Sequence, residues 1–79
     1  MEWKEKDNRL EKEFTAGDFA AIMEKLPELA KIADGMNHHP DFEVYGYKNI
    51  KFSLMTHSEG KITELDHNLA KEIDQLFTD

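Results

Sequence analysis

Cysteine is absent from this 79-residue chain, so neither a disulfide nor a thiolate metal site can reinforce the fold. A chain this short buries only about 60% of the surface that its unfolded form exposes, which leaves self-association as the remaining common route to stability. The lack of cysteine fits a reducing cytosol. No stretch approaches the roughly 20 apolar residues of a membrane span, and the opening MEWKEKDNRLEKEF is charged throughout, without the apolar core of a signal peptide. Basic residues are in deficit. Ten Lys and Arg against 17 Asp and Glu give a formal net charge of -7, which repels a phosphate backbone or an anionic membrane surface. The chain is therefore expected to be soluble and cytoplasmic, with neither nucleic acid nor membrane as a direct partner. It contains no internal repeat, low-complexity tract or Gly/Ser-rich linker, so residues 1–79 are expected to form a single domain.

Hydrophobic periodicity divides the chain into six elements. Trp3 to Phe14 suggests two short strands around the turn-forming Asp7-Asn8, with Leu10 and Phe14 inward and the charge run EWKEKDNRLEKE as a solvated strand pair. From Asp18 the period becomes helical: Phe19, Ile22, Met23, Leu26, Ala30 and Ala33 share one face of a helix ending near Met36, capped by Thr15 or Asp18. Leu29 and Ile32 are left over for a helix-to-helix interface. Pro27 lies inside this run, where it removes a backbone donor and costs about 3 kcal/mol in a regular helix, so a kink is expected near Met23 to Leu26. After Pro40 the period falls to two. Phe42 and Val44, then Ile50, Phe52 and Leu54, alternate with polar residues as two strands of a hairpin, with Gly46 at the turn or bulge. A capping box, Thr63 with Asp66, opens a last helix that is expected to bury Leu65, Leu69, Ile73 and Leu76. The order ββαββα predicts an α+β fold, a four-stranded antiparallel sheet with two helices on one face.

The chemistry concentrates in GMNHHPDF and MTHSEG, which carry His38, His39 and His57. A metal site is one reading, but adjacent residues in an extended chain point to opposite sides, and Pro40 biases His39 toward an extended backbone. No His-x3-His pair accompanies them. Acid-base chemistry asks less of the geometry: one ring of the pair and His57 can converge on a pocket, and an imidazole gives or takes a proton near neutral pH. Asp34, four residues before His38, is close enough in sequence to orient a ring. A third reading makes His38 and His39 polar helix-exit residues and His57 a solvated strand end. His67 is expected to be exposed.

The order Asp34, three residues, His38-His39-Pro40, six residues, Tyr47, nine residues, His57, eight residues, Asp66 resembles the signature of the pterin-4a-carbinolamine dehydratases. RLEKEFTAGDFAAIMEKLPELAKIADGMNHHP and THSEGKITELDHNLAKEID extend the likeness over nearly the whole chain from Leu10 onward. The resemblance implies dehydration of 4a-hydroxytetrahydropterin to quinonoid dihydropterin in tetrahydrobiopterin recycling, without a metal or redox cofactor. It implies that His38 and His57 are the acid-base pair and that His39 binds or orients the pterin. Pro40, Thr56, His57, Ser58 and Glu59 would line the ring site, with Asp34 and Asp66 orienting histidines or substrate and Trp3 bordering the pocket.

The sequence departs from that pattern in three places. Asp34 stands where glutamate is common, one methylene shorter. The chain begins close to its first strand and is expected to be a short form without the N-terminal segment of longer members, and the interval from Pro40 to Tyr47 is one residue longer than in many. The resemblance further implies a homodimer or homotetramer. Some family members act as dimerisation cofactors of a transcription factor, so a non-catalytic protein-interaction module on the same fold is the alternative.

Overall fold

The computed structural model describes residues 2–77. Its first hairpin pairs β1 (Lys4–Lys6) with β2 (Arg9–Thr15), bringing Lys6 opposite Arg9. Asp7 and Asn8 close it at φ 53° and 63°, the left-handed conformation that a two-residue hairpin loop requires and that Asp and Asn tolerate. The second hairpin, β3 (Asp41–Tyr45) and β4 (Asn49–Leu54), inserts β4 beside β2, so the sheet order is β1-β2-β4-β3 and every pair is antiparallel. Helices α1 (Phe19–Met36) and α2 (Glu64–Phe77) cover one face.

That face carries Leu10 and Phe14 of β2 and Ile50, Phe52 and Leu54 of β4. Together with Ile22 and Leu29 of α1 and Leu69, Ala70 and Ile73 of α2, they form one apolar cluster. Phe52 lies at its centre, fully buried, with Trp3, Phe14, Phe42 and Phe77 at ring centroid distances of 5.2 to 6.5 Å. Burying a side chain of this size contributes about 1.5–3 kcal/mol relative to leaving it exposed.

Several inward assignments are corrected. On α1 the buried stripe is Ile22, Leu29 and Ala33, whereas Phe19 is half-exposed and Ala30 exposed. Leu29 is core and not a surplus residue, because the sheet meets the helix along a line rotated from the one that apolar counting suggests. On α2, Leu65 is exposed while Asp66, Leu69, Ala70 and Ile73 are buried. Positions 66, 69, 70 and 73 are the i, i+3, i+4, i+7 stripe of one helix face, and an acid occupies its first place. Phe42 is 46% exposed because β3 is an edge strand. Lys12 is not part of a solvated run. It shares the covered side of β2 with Leu10 and Phe14, lies over the Phe14 ring, and donates to Asp74 Oδ1 at 2.8 Å, its stem packed and its ammonium at the rim. Helix α1 runs unbroken through Pro27.

Candidate functional site

The end of α1 decides where the two adjacent histidines go. Asp18 caps the helix start by accepting the Ala21 N–H. At the other end Asn37 takes the left-handed conformation, φ 52°. Its N–H donates to the Asp34 carbonyl, and the His38 N–H donates to the Ala33 carbonyl. These two bonds are the paired 5→2 and 6→1 contacts of a Schellman stop. The reversal at Asn37 turns His38 inward beneath the sheet end and leaves His39 outside. Asp34 consequently meets His39, at 2.8 Å from Nε2, and not His38; both members of that pair are largely exposed.

His38 is held by Asp66. Its Nε2 lies 2.6 Å from Asp66 Oδ1, with the ring one-tenth exposed and the carboxylate fully buried. Asp66 Oδ2 accepts the Thr56 hydroxyl at 2.8 Å and the Thr63 N–H at 2.9 Å. Burial by itself would push the Asp66 carboxyl up. The His38 ring, the Thr63 N–H and the Thr56 hydroxyl together outweigh it and hold the group below the usual carboxylate range. The capping box is thus half formed: Asp66 reaches back to the Thr63 amide, but the Thr63 hydroxyl turns away to the Thr56 hydroxyl at 2.6 Å.

Thr56 also builds the loop that carries the third histidine. It forms a bridge with Lys61, and its carbonyl accepts the N–H groups of Glu59 and Gly60. Gly60 adopts φ 67°, which glycine takes without strain. His57, Ser58 and Glu59 are exposed on this loop. His57 Nε2 lies 4.0 Å from Asp41 Oδ2, and the same carboxylate oxygen accepts Arg9 Nη1 at 3.1 Å; Arg9 also donates to Ser53 at 2.9 Å. Sequence reading did not single out Arg9, Ser53 or Asp41. Their only signal is the outward alternation of three strands, and it takes the strand register to show that they adjoin.

The loops after α1 and after β4 are therefore linked through Asp66, which bonds His38 and Thr56, and approach again where Asp41 faces His57. Pro40 is half-buried between them in sequence, beside His39 on a groove of about 330 Å³ lined by Leu26, Ala30, Ala33, Asp34 and Phe42. Two residues lie elsewhere. Trp3 donates its indole N–H to Asp74, two turns along α2 from Asp66, and packs on Phe14 and Phe52 as a core aromatic. Tyr47 is exposed in the β3-β4 turn at φ 55°. Its turn lies at the far end of β4 from His57, about 20 Å away by strand rise, so it supplies no part of a pocket with the histidines. His67 is exposed. Among the described residues, no three His, Asp or Glu side chains form a group that could hold a metal ion, and no helix is long and apolar enough to cross a membrane.

A family model described as pterin 4 alpha carbinolamine dehydratase matches residues 1–76, and the chain belongs to that family. A provisionally named pterin-4-alpha-carbinolamine dehydratase of Sulfurisphaera tokodaii is 46% identical over 76 residues, 96% of this chain and 81% of the relative. The crystal structure titled transcriptional coactivator/pterin dehydratase from Brucella melitensis superposes with a TM-score of 0.88 at 27% identity, covering 95% of this chain and 81% of that one. A pterin dehydratase-like protein described as a RuBisCO assembly factor in the alpha-carboxysome shares the fold, with a TM-score of 0.80 at 23% identity over 100% of this chain and 93% of that one.

Proposed function

We propose that the protein dehydrates 4a-hydroxytetrahydropterin to quinonoid dihydropterin by histidine acid-base catalysis, as a step of pterin recycling in the cytoplasm. The observation that carries this reading is the buried His38–Asp66 pair, tied through Thr56 to the loop that presents His57. In the reaction the C4a–O bond breaks and the hydroxyl leaves as water with an added proton. The N5–H proton is lost, and its electron pair forms the C4a=N5 bond. The step needs one proton donor and one acceptor on a common substrate, and imidazole is the side chain that most often serves either task. A positioned proton-transfer group contributes about 100- to 10,000-fold. His39, held by Asp34, and Pro40 offer the flat ring an exposed edge beside an apolar groove. Ser58 and Glu59 accompany His57 on the other side.

Purified protein is expected to accelerate decay of 4a-hydroxytetrahydropterin, followed by absorbance. His38→Ala or His57→Ala should each lower that rate at least about tenfold. Turnover indistinguishable from buffer sinks the enzymatic reading.

Self-association as a homodimer or homotetramer belongs to the same proposal. A second reading, a protein-interaction module on this fold, draws on Phe42 and Tyr45, both more than 40% exposed on edge strand β3, where an unpaired strand can accept another chain. A partner retained after both His38 and His57 are replaced, in a protein without turnover, favours that reading over the first.

A further inference from the structure

Within one chain Tyr47 stays far from the histidines, yet it is held in a costly conformation. It is 62% exposed and stands at φ 55° in the turn after β3, directly after Gly46 at φ 56°. A bulky residue in the left-handed region is an outlier that points to a function. The two aromatic residues that the sequence groups with the histidines both go elsewhere in the chain. Trp3 packs on Phe14 and Phe52, and Tyr47 lies beyond the far end of β4.

The two edges of the sheet differ. β1 is three residues long and wholly charged, with Lys4 and Lys6 guarding it, a common defence of an edge. β3 is five residues long and exposes Phe42 and Tyr45. It runs from the histidine end, at Asp41, to the Tyr47 turn. A copy of the same strand added antiparallel about a two-fold axis therefore lays its turn against the histidine end of the first, and the reverse holds by symmetry. Paired residues must share a face of the sheet, so the axis passes through a residue and not between two. An axis at Glu43 sets two carboxylates face to face, which is unfavourable. An axis at Val44 sets Val44 on its copy and Glu43 opposite Tyr45, and it carries Tyr47 toward Asp41, about one strand spacing of 4.8 Å away. Charge agrees with this placement. The turn brings Lys48, whose ammonium lies 5.9 Å from the Tyr47 ring, to an end that carries Asp34, Asp41 and Glu59.

We infer that β3 pairs with β3 of a second copy and that the partner's Tyr47 completes the candidate site, as an aromatic wall for a flat ligand beside Asp41 and His57. The identity of that ligand rests on the dehydratase reading; the strand pairing does not. His57 Nε2 lies 4.0 Å from Asp41 Oδ2, so a ring that arrives at Asp41 arrives at His57 as well. Each site then takes its histidines from one subunit and its tyrosine from the other.

Subunit mixing with the full chain tests this. Tyr47→Asn removes the ring, and Asn tolerates the left-handed turn. It should lower kcat/KM for 4a-hydroxytetrahydropterin about tenfold, mostly through KM, while Tyr47→Phe stays within about twofold of wild type. His57→Ala lacks the other half of the site. When these two impaired variants are unfolded together in urea and refolded in equal amounts, half of the dimers are mixed and each mixed dimer holds one complete site, so about a quarter of the wild-type rate should return. Sedimentation should show a dimer for the wild type and a monomer for Val44→Lys, whose ammonium faces its own copy across the axis. If Val44→Lys does not fold, mixing decides alone. A mixture no more active than its parents, Tyr47→Asn with the wild-type KM, or a wild-type chain that sediments as a monomer overturns the inference. An unrelated protein captured on β3 of a monomeric chain overturns it too. If the wild type turns nothing over, the dehydratase reading falls, and the same mixture is titrated with 7,8-dihydrobiopterin by fluorescence. Tight sites that return on mixing then support the shared site, and none returning, or no binding by the wild type, overturns it.

Discussion

His38 and His39 are neighbours in sequence, each 2.6–2.8 Å from an aspartate, yet they occupy opposite physical regimes. The His39–Asp34 pair lies in water with both side chains more than half exposed, where an ion pair is worth about 0–1 kcal/mol and is screened by salt. The His38–Asp66 pair lies under the sheet end, where the second oxygen of the carboxylate also accepts from the Thr56 hydroxyl and the Thr63 N–H. The difference teaches that the carboxylate's surroundings, and not the distance to it, decide whether a histidine is oriented firmly enough for chemistry.

The comparison breaks most severely at Asp66→Ala. Removing one partner of a buried pair strands the other, together with the Thr56 hydroxyl, so a loss of about 3–5 kcal/mol is expected in urea unfolding. The same carboxylate sets a pH dependence. Its native pKa is depressed, so the unfolded chain binds the proton more tightly than the folded one. Stability is then fully present above the ordinary carboxylate value of about 3.9 and is lost as pH falls through the depressed native value. Acid unfolding measured by circular dichroism should show this loss, and Asp66→Asn should flatten it. Next in size is Asn37→Val, which forces a β-branched residue into the left-handed stop that turns His38 inward. The expected cost is about 1–2 kcal/mol, read from the unfolding midpoint. The smallest effect is at Asp34→Ala: the change in stability should stay within about 0.5 kcal/mol. A loss above about 2 kcal/mol there contradicts the contrast between the two pairs.

Much of the fold was legible because its signals are local. The change of period at Pro40, the Asp7-Asn8 and Gly46 turns and the Thr63–Asp66 helix start each depend on a few consecutive residues, and all six elements appear in the expected order. Inward faces were less legible. Leu65 and Asp66 differ by 100° of helix rotation, and hydrophobicity alone assigns the leucine to the core; the structure buries the aspartate because His38, Thr56 and the Thr63 amide are there to bond it. Asp34 was matched to His38 by the four-residue spacing of a helix, which fails once Asn37 reverses the chain. Tyr47 keeps a regular interval to His57 in sequence, but an extended strand converts that interval into distance.

The sequence by itself therefore determined the element order, the turn positions and the residues able to carry acid-base chemistry, since these follow from local backbone preference and side-chain type. The tertiary structure alone decided which carboxylate serves which histidine and which of the rings is shielded from water. Those choices depend on bonds between residues 10 to 32 positions apart, His38 with Asp66, Thr56 with Asp66 and Arg9 with Asp41. Only the packed sheet and helices bring such groups within reach of one another.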